Sequence, residues 1–177
     1  MIKFILKLFN KFFNFNSHKS QETSKQPLVS TDEQRISYSP QLIPSLKHDH
    51  QNLVELYSKI SILLHTQRYV EIEDILSSLK TEFNRHIMQE NVSFYCYLEQ
   101  QFADDANHME TIRDYRKEMN GISHAFIKFI KKWQSDVITA QNAQAFREEY
   151  DAIGVVLAQR INSEENHLYP LYHPSYI

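Results

Sequence analysis

His86 and Glu90 stand four residues apart in a segment whose apolar positions, Leu79, Phe83, Phe94 and Tyr97, recur at helical spacing. Imidazole and carboxylate are thus placed one turn apart on the apolar face of a helix. Two further stripes carry polar groups in the same way. His50 heads the run Leu53, Val54, Tyr57, Ile60, Leu64, and Arg160 and Glu164 interrupt Phe146, Tyr150, Ile153, Leu157, Leu168. A polar group buried without a partner costs roughly a few kcal/mol, so five such groups scattered through a core would be separately costly and are expected to converge. Two chemistries answer that demand. A metal ion can be held between His and carboxylate side chains of facing helices. Alternatively, the forked guanidinium of Arg160 can pair with both Glu90 and Glu164.

The elements that must position these groups are long helices. A chain of 177 residues with only 2 Gly and 5 Pro has few tight turns, which disfavours an all-β fold and suits one helical domain. The first helix is predicted from near Pro44-Ser45 to about His65, with Pro in the first turn. The second runs from about Val70 to Phe102. The third follows Asp104-Asp105, with Asn107 and Glu110 spaced as a capping box, and buries Ile112, Tyr115, Met119, Ile122, Phe126, Phe129 and Trp133. The fourth runs from about Asn142 to Tyr169, where Pro170 stops it. Short connections predict an all-α, up-down-up-down four-helix bundle. Most of the ten Tyr and eleven Phe fall at core spacing in these helices and read as packing.

Charge divides the chain. Residues 1–26 carry five Lys against Glu22, while the remainder has 14 basic and 21 acidic side chains. An acidic body argues against nucleic-acid binding, which depends on neutralising phosphates. Residues 1–16 place Lys3, Lys7 and Lys11 opposite Ile2, Phe4, Ile5, Leu8, Phe9, Phe12 and Phe13, the pattern of an amphipathic helix lying on an anionic membrane surface. The stretch is too short and too charged to span a bilayer and has no small-residue cleavage site. Residues 17–42 are rich in Ser, Gln, Thr and Lys and read as a flexible linker to the bundle at 43–177. The single cysteine, Cys96, reads as a small buried residue and gives no sign of an oxidising compartment. The chain is expected to be cytoplasmic, with peripheral attachment to the inner membrane. Lys128, Lys131 and Lys132 read as a solvated face.

The segments Leu46-Lys-His-Asp-His50-Gln-Asn-Leu53, His86-x-x-x-Glu90-Asn and Arg160-Ile-Asn-Ser-Glu164-Glu165-Asn-His167-Leu-Tyr-Pro170 resemble the hemerythrin-like, or HHE cation-binding, domain. The resemblance spans about residues 43–172. It implies a four-helix bundle with a di-iron centre, and a bacterial protein that handles iron or oxygen or senses them. Carried over by position, the implied ligands are His50, His86, Glu90 and Glu164. Arg160 stands where the family has a histidine, and an arginine cannot be a metal ligand. The third helix should supply another histidine. Its one interior candidate, His124, shares a column with Lys117, Asn120, Lys128 and Lys131 and reads as a surface residue. His167, three residues beyond Glu164, can share its face and substitute as a ligand.

The reading is therefore an iron-binding sensor or iron/oxygen-handling protein with a degenerate centre and no enzymatic machinery. Among classical catalytic patterns, no Ser/His/Asp set or Gly-rich phosphate loop is visible. The alternative is a metal-free bundle that works as an interaction or regulatory module with a protein partner. For that reading the Arg-x-x-x-Glu of the last helix is similar to the AlgQ-like anti-sigma regulators.

Overall fold

The computed structural model describes residues 35–174, and these are all helix and connecting loop. Helix α1 (Leu42–His65) is followed by α2 (Val70–Gln89). A π-helical segment, Glu90–Tyr95, carries α2 on into the short α3 (Cys96–Gln101). Helix α4 spans Ala106–Ser135, and α5 spans Ala143–Ser163. A second π-helical segment, Glu164–Leu168, and a 3-10 turn, Tyr169–Leu171, complete the last helix. With the π segments counted as interruptions, there are four helices among the described residues, packed α1 on α2, α2 on α4, α4 on α5 and α5 back on α1.

Sequence explains most of the ends. Pro44 lies in the first turn of α1, where its missing N–H breaks no hydrogen bond. The cap of α4 is Asp105, not the expected Asn107. Asp105 has extended backbone, and its carboxylate accepts from the N–H groups of Asn107 and His108 at 3.1 and 3.0 Å. Asn107 has moved inside the helix as a consequence. Residues 1–34, and with them the expected amphipathic helix and most of the expected linker, lie outside the described residues. Residues 36–39, at the end of that stretch, are held on the bundle. Ile36 exchanges hydrogen bonds with the Gln100 side chain, the Ser39 N–H donates to Tyr172, and Tyr38 stacks on Tyr172.

The π segments were not anticipated. Each begins at a glutamate that the stripes already marked, Glu90 and Glu164. A π turn takes one residue more than an α turn and so resets the register downstream. Beyond Glu90 it brings Tyr95 inward alongside Phe94, and Tyr97 alongside Leu98, all four at most 3% exposed. Cys96 is half-buried, with its thiol donating to the Asn91 carbonyl five residues back.

The core is in two parts. One contains Leu53, Ile60, Leu79, Phe83, Phe126 and Phe146. The other contains Leu46, Phe94, Tyr95, Ile112, Leu168 and Tyr169. Along each chain segment the polar positions fall between them: His50 between Leu46 and Leu53, His86 and Glu90 between Phe83 and Phe94, Glu164 before Leu168. A buried polar layer therefore separates two apolar ones.

Candidate metal centre

Six polar side chains are buried among the described residues: Asp49, His50, His86, Glu90, Arg160 and Glu164. The bundle brings five of these, all those singled out from the sequence, into one layer. Among the described residues, His50, His86 and Glu164 form the group whose donor atoms are placed for a metal ion, each within 4.8 Å of the others. Glu90 stands beside them, with its Oε2 3.9 Å from His86 Nε2. His167 and His124 are exposed and contribute nothing to the layer. For His167 the reason is the second π segment, whose wider turn carries position i+3 off the face that an α turn would give it.

The histidines are backed by carboxylates. His50 Nδ1 donates to Glu165 Oε1 at 2.9 Å, which turns Nε2 toward Glu164 Oε2 at 3.3 Å. His86 Nδ1 faces Asp49 Oδ2 at 3.8 Å, and Asp49 is itself held by Arg85 at 2.6 Å. A carboxylate behind the non-ligating nitrogen is how proteins fix the tautomer of a metal-binding histidine. The Tyr169 hydroxyl donates to Glu90 Oε1 at 2.9 Å and lies 3.3 Å from His50 Nε2. Two buried atoms of the layer have no hydrogen-bond partner, His86 Nδ1 and Glu90 Oε2.

Arg160 uses three of its nitrogens. Nε donates to Glu164 Oε1 at 2.5 Å, one terminal nitrogen to Glu118 at 3.0 Å and the other to the Tyr95 hydroxyl at 2.8 Å. Glu118 is the contact that α4 makes with this guanidinium, from an exposed position. Arg160 does pair with Glu164, as one of the two chemistries required, but its hydrogen bonds do not reach Glu90.

Charge in the layer follows from these contacts. Burial pushes the Glu90 carboxyl up to about 8, and the Glu164 carboxylate adds to it. Burial pulls the His86 imidazole down to about 4, with His50 acting in the same direction. Both groups are neutral at pH 7. Burial also opposes the charges of Glu164 and His50, but their mutual hydrogen bond prevails, joined by Arg160 for one and Glu165 for the other. Glu164 is thereby held below the ordinary carboxylate range and His50 above the ordinary imidazole range. Burial raises the Tyr95 and Tyr169 hydroxyls, so both stay protonated, Tyr169 as the donor to Glu90 and Tyr95 as the acceptor from Arg160.

The model of the hemerythrin HHE cation binding domain matches residues 41–172. This chain belongs to that family. Comparison with curated proteins and comparison with solved structures each find no match. The family fold is a metal-binding one, and this member keeps His50, His86 and Glu164 as a group able to ligate.

Sequence reasoning missed five participants, Glu118 on α4 among them with no signal in its spacing. Glu165 and Tyr169 sit in the quoted Glu-Glu-x-x-Leu-Tyr-Pro run, so their signal was present but their partners were not. Asp49 adjoins His50 and was hidden by its neighbour. Tyr95 was masked by the π turn, because α periodicity points it away from the layer.

The donor set passes a test of fit for one ion. Two imidazoles and a carboxylate converge, and a second carboxylate beside them has an unsatisfied oxygen, Glu90 Oε2. A second ion finds no comparable set among the described residues. Arg160 already holds one oxygen of Glu164, α4 brings no histidine into the layer, and His124 and His167 are exposed.

Proposed function

We propose that this protein binds a single transition-metal ion, iron in the first place, through His50, His86 and Glu164 with Glu90 as the fourth ligand. Arg160 supplies a fixed positive charge in place of a second ion. The observation that carries this reading is the convergence of three buried donors within 4.8 Å beside a buried carboxylate oxygen, Glu90 Oε2, with no partner. Two imidazoles with a carboxylate is a donor set that suits ferrous iron and leaves coordination positions open. Bound iron would supply redox change and small-ligand binding there. The residues do the rest: Glu165 and Asp49 orient the imidazoles, Tyr169 positions Glu90, and Arg160 holds Glu164. The biological role we assign is sensing or handling iron or oxygen, without an enzymatic reaction. The four helices are taken to run up-down-up-down, as their short connections favour.

A second reading has its own support. The Arg160–Glu164 pair and the neutral states of His86 and Glu90 leave the layer close to electrically balanced without any ion, as a metal-free regulatory module with a protein partner would need. Metal analysis of untagged protein, followed by anaerobic ferrous titration, separates the two. We expect one ion per chain, lost in His86→Ala and in Glu164→Ala and kept in His124→Ala. Two ions per chain would overturn the mononuclear assignment, and none after titration would establish the metal-free reading.

A further inference from the structure

The chain enters the bundle through residues 36–39, a strap that is neither helix nor strand. Side chains of the bundle hold its backbone. The Gln100 amide accepts from the Ile36 N–H at 2.9 Å and donates to the Ile36 carbonyl at 3.1 Å. The Tyr172 hydroxyl accepts from the Ser39 N–H at 2.8 Å, and the Tyr38 ring stacks on the Tyr172 ring at 5.0 Å. Ile36 is half-buried against the second part of the core, while Ser37, Tyr38 and Ser39 are exposed. Three hydrogen bonds at or near the surface and one stack are a light hold, because water competes for the same groups. Such a strap opens far more readily than the packed helices do.

Tyr172 is also tied to the frame of the polar layer. Tyr169–Leu171 is a single 3-10 turn, and the Tyr172 N–H donates to the Tyr169 carbonyl at 3.0 Å. One end of that turn holds the strap through Tyr172. The other end carries Tyr169, whose hydroxyl donates to Glu90 and lies 3.3 Å from His50 Nε2. Phe94, fully buried, bridges the two ends, its ring 5.2 Å from that of Tyr169 and 5.8 Å from that of Tyr172. Rings packed in this way do not shift singly, since a close-packed core has no free space to absorb the movement. A displacement of Tyr169 therefore reaches the strap within three residues.

We propose that the strap is a releasable clasp whose closure is coupled to the polar layer through Tyr169 and Tyr172. A layer that holds Tyr169 in place keeps the strap closed, and loss of that hold lets it open. What the clasp controls is whether the stretch joining residues 1–34 to the bundle is tied down. For metal, the inference rests on the single-ion reading above. His50 and Glu90 are the two residues that the Tyr169 hydroxyl faces, and an ion fixing both binds better with Tyr169 in place. That difference in affinity shifts the strap toward its closed form.

Amide exchange of residues 36–41 in the full chain, read by mass spectrometry, tests this, with tryptic cleavage after Arg35 as a second measure of the open strap. In the chelator-treated protein Gln100→Ala should speed both at least tenfold, because it removes two of the three hydrogen bonds. Tyr169→Phe withdraws the hydroxyl from the layer and leaves every strap contact in place, yet it should speed both at least threefold. If that variant does not fold, Glu90→Ala removes the acceptor instead and should act in the same way. Tyr57→Phe is the control for general destabilisation. It removes a hydroxyl that donates to the Tyr150 carbonyl at the seam of α1 and α5, and it should leave the strap unchanged.

Unchanged exchange in the folded layer variant overturns the coupling, and so does an equal rise in Tyr57→Phe. Unchanged exchange in Gln100→Ala overturns the clasp itself. Ferrous ion added anaerobically to the wild-type chain should slow strap exchange at least threefold. Bound ion with unchanged exchange overturns the link to metal and leaves the single-ion reading standing. No bound ion overturns the single-ion reading, and the layer variants then decide the coupling by themselves.

Discussion

Glu90 and Arg160 set the electrostatic character of the layer, and each gives a measurable consequence. Glu90 has its folded-state pKa raised to about 8, so the folded chain holds a proton there that the unfolded chain releases above its ordinary carboxylate range. Its contribution to stability is present at low pH and is lost as pH rises toward 8. His86, lowered to about 4, acts oppositely, but only below the ordinary imidazole value of 6.5. His50, raised, loses its contribution as pH rises and so acts in the same direction as Glu90. Above about pH 6.5 the opposing term is spent. The chelator-treated protein should therefore lose stability between pH 6.5 and 8, with a limiting slope of about 1.4 kcal/mol per pH unit for each proton. Melting temperatures across that window should fall, and Glu90→Gln should flatten the profile while keeping the acceptor for Tyr169. An unchanged slope in that variant would place the titrating group elsewhere.

Arg160 gives the sharper test. It is 4% exposed and neutralises Glu164, which is 2% exposed. Removing one partner of a buried ion pair typically costs about 3–5 kcal/mol, because the other charge is stranded. Arg160→Ala should cost that much in the metal-free chain at neutral pH and recover part of it in mild acid, where Glu164 takes up a proton. Chemical denaturation at pH 7 and pH 5 would measure both. A metal-free variant of unaltered stability would show that Arg160 does not hold the layer. In the presence of ferrous iron, Arg160→His should tighten binding by adding a ligand.

At the scale of the element, the π turns and the α1–α5 seam decide where side chains go. Both π segments begin at a site glutamate, and extra-residue turns of this kind recur at functional positions because they re-aim a short stretch of helix. The seam makes a prediction at Gly154. Glycine inside a helix ordinarily costs about 1 kcal/mol relative to alanine, so Gly154→Ala should stabilise if nothing stands in the way. Here the new methyl meets the Tyr57 ring at 3.0 Å, and that ring is stacked on Tyr150 and tied at its hydroxyl. Overpacking a fixed group costs about 1–3 kcal/mol. Net destabilisation is expected, with a lower melting temperature. Gly154→Ala in a Tyr57→Phe background, where the ring can shift, should be milder.

For the whole molecule, the described residues contain no helix long and apolar enough to cross a membrane. Peripheral attachment through residues 1–16 is a proposal that rests on their Lys and Phe pattern. Each Lys near an anionic surface contributes about 1 kcal/mol, so three of them should give binding that weakens with salt. Deleting residues 1–16 should release the protein from anionic vesicles in a sedimentation assay and leave the helical signal of the bundle intact. Equal sedimentation of both chains would remove the membrane from the account.

Periodicity alone was enough to specify four helices, their approximate limits and five of the six polar side chains buried in them. An apolar stripe must face a core, and whatever polar residue interrupts it is carried inside. The motif runs were enough to indicate the family that the comparison then showed. Three things were decided only by the tertiary structure. The π turns are not written in a period of 3.6, so Tyr95 inside and His167 outside could not be read from spacing. The partners of His50, His86 and Arg160 come from Glu165, Asp49, Glu118 and Tyr95, residues up to 115 positions away, and proximity at that range exists only after packing. The choice of Glu164 over Glu90 for the guanidinium has the same origin. A stripe fixes which face a side chain occupies, but the last ångström of its reach is set by the helices around it, and hydrogen bonds and metal ligation are decided within that ångström.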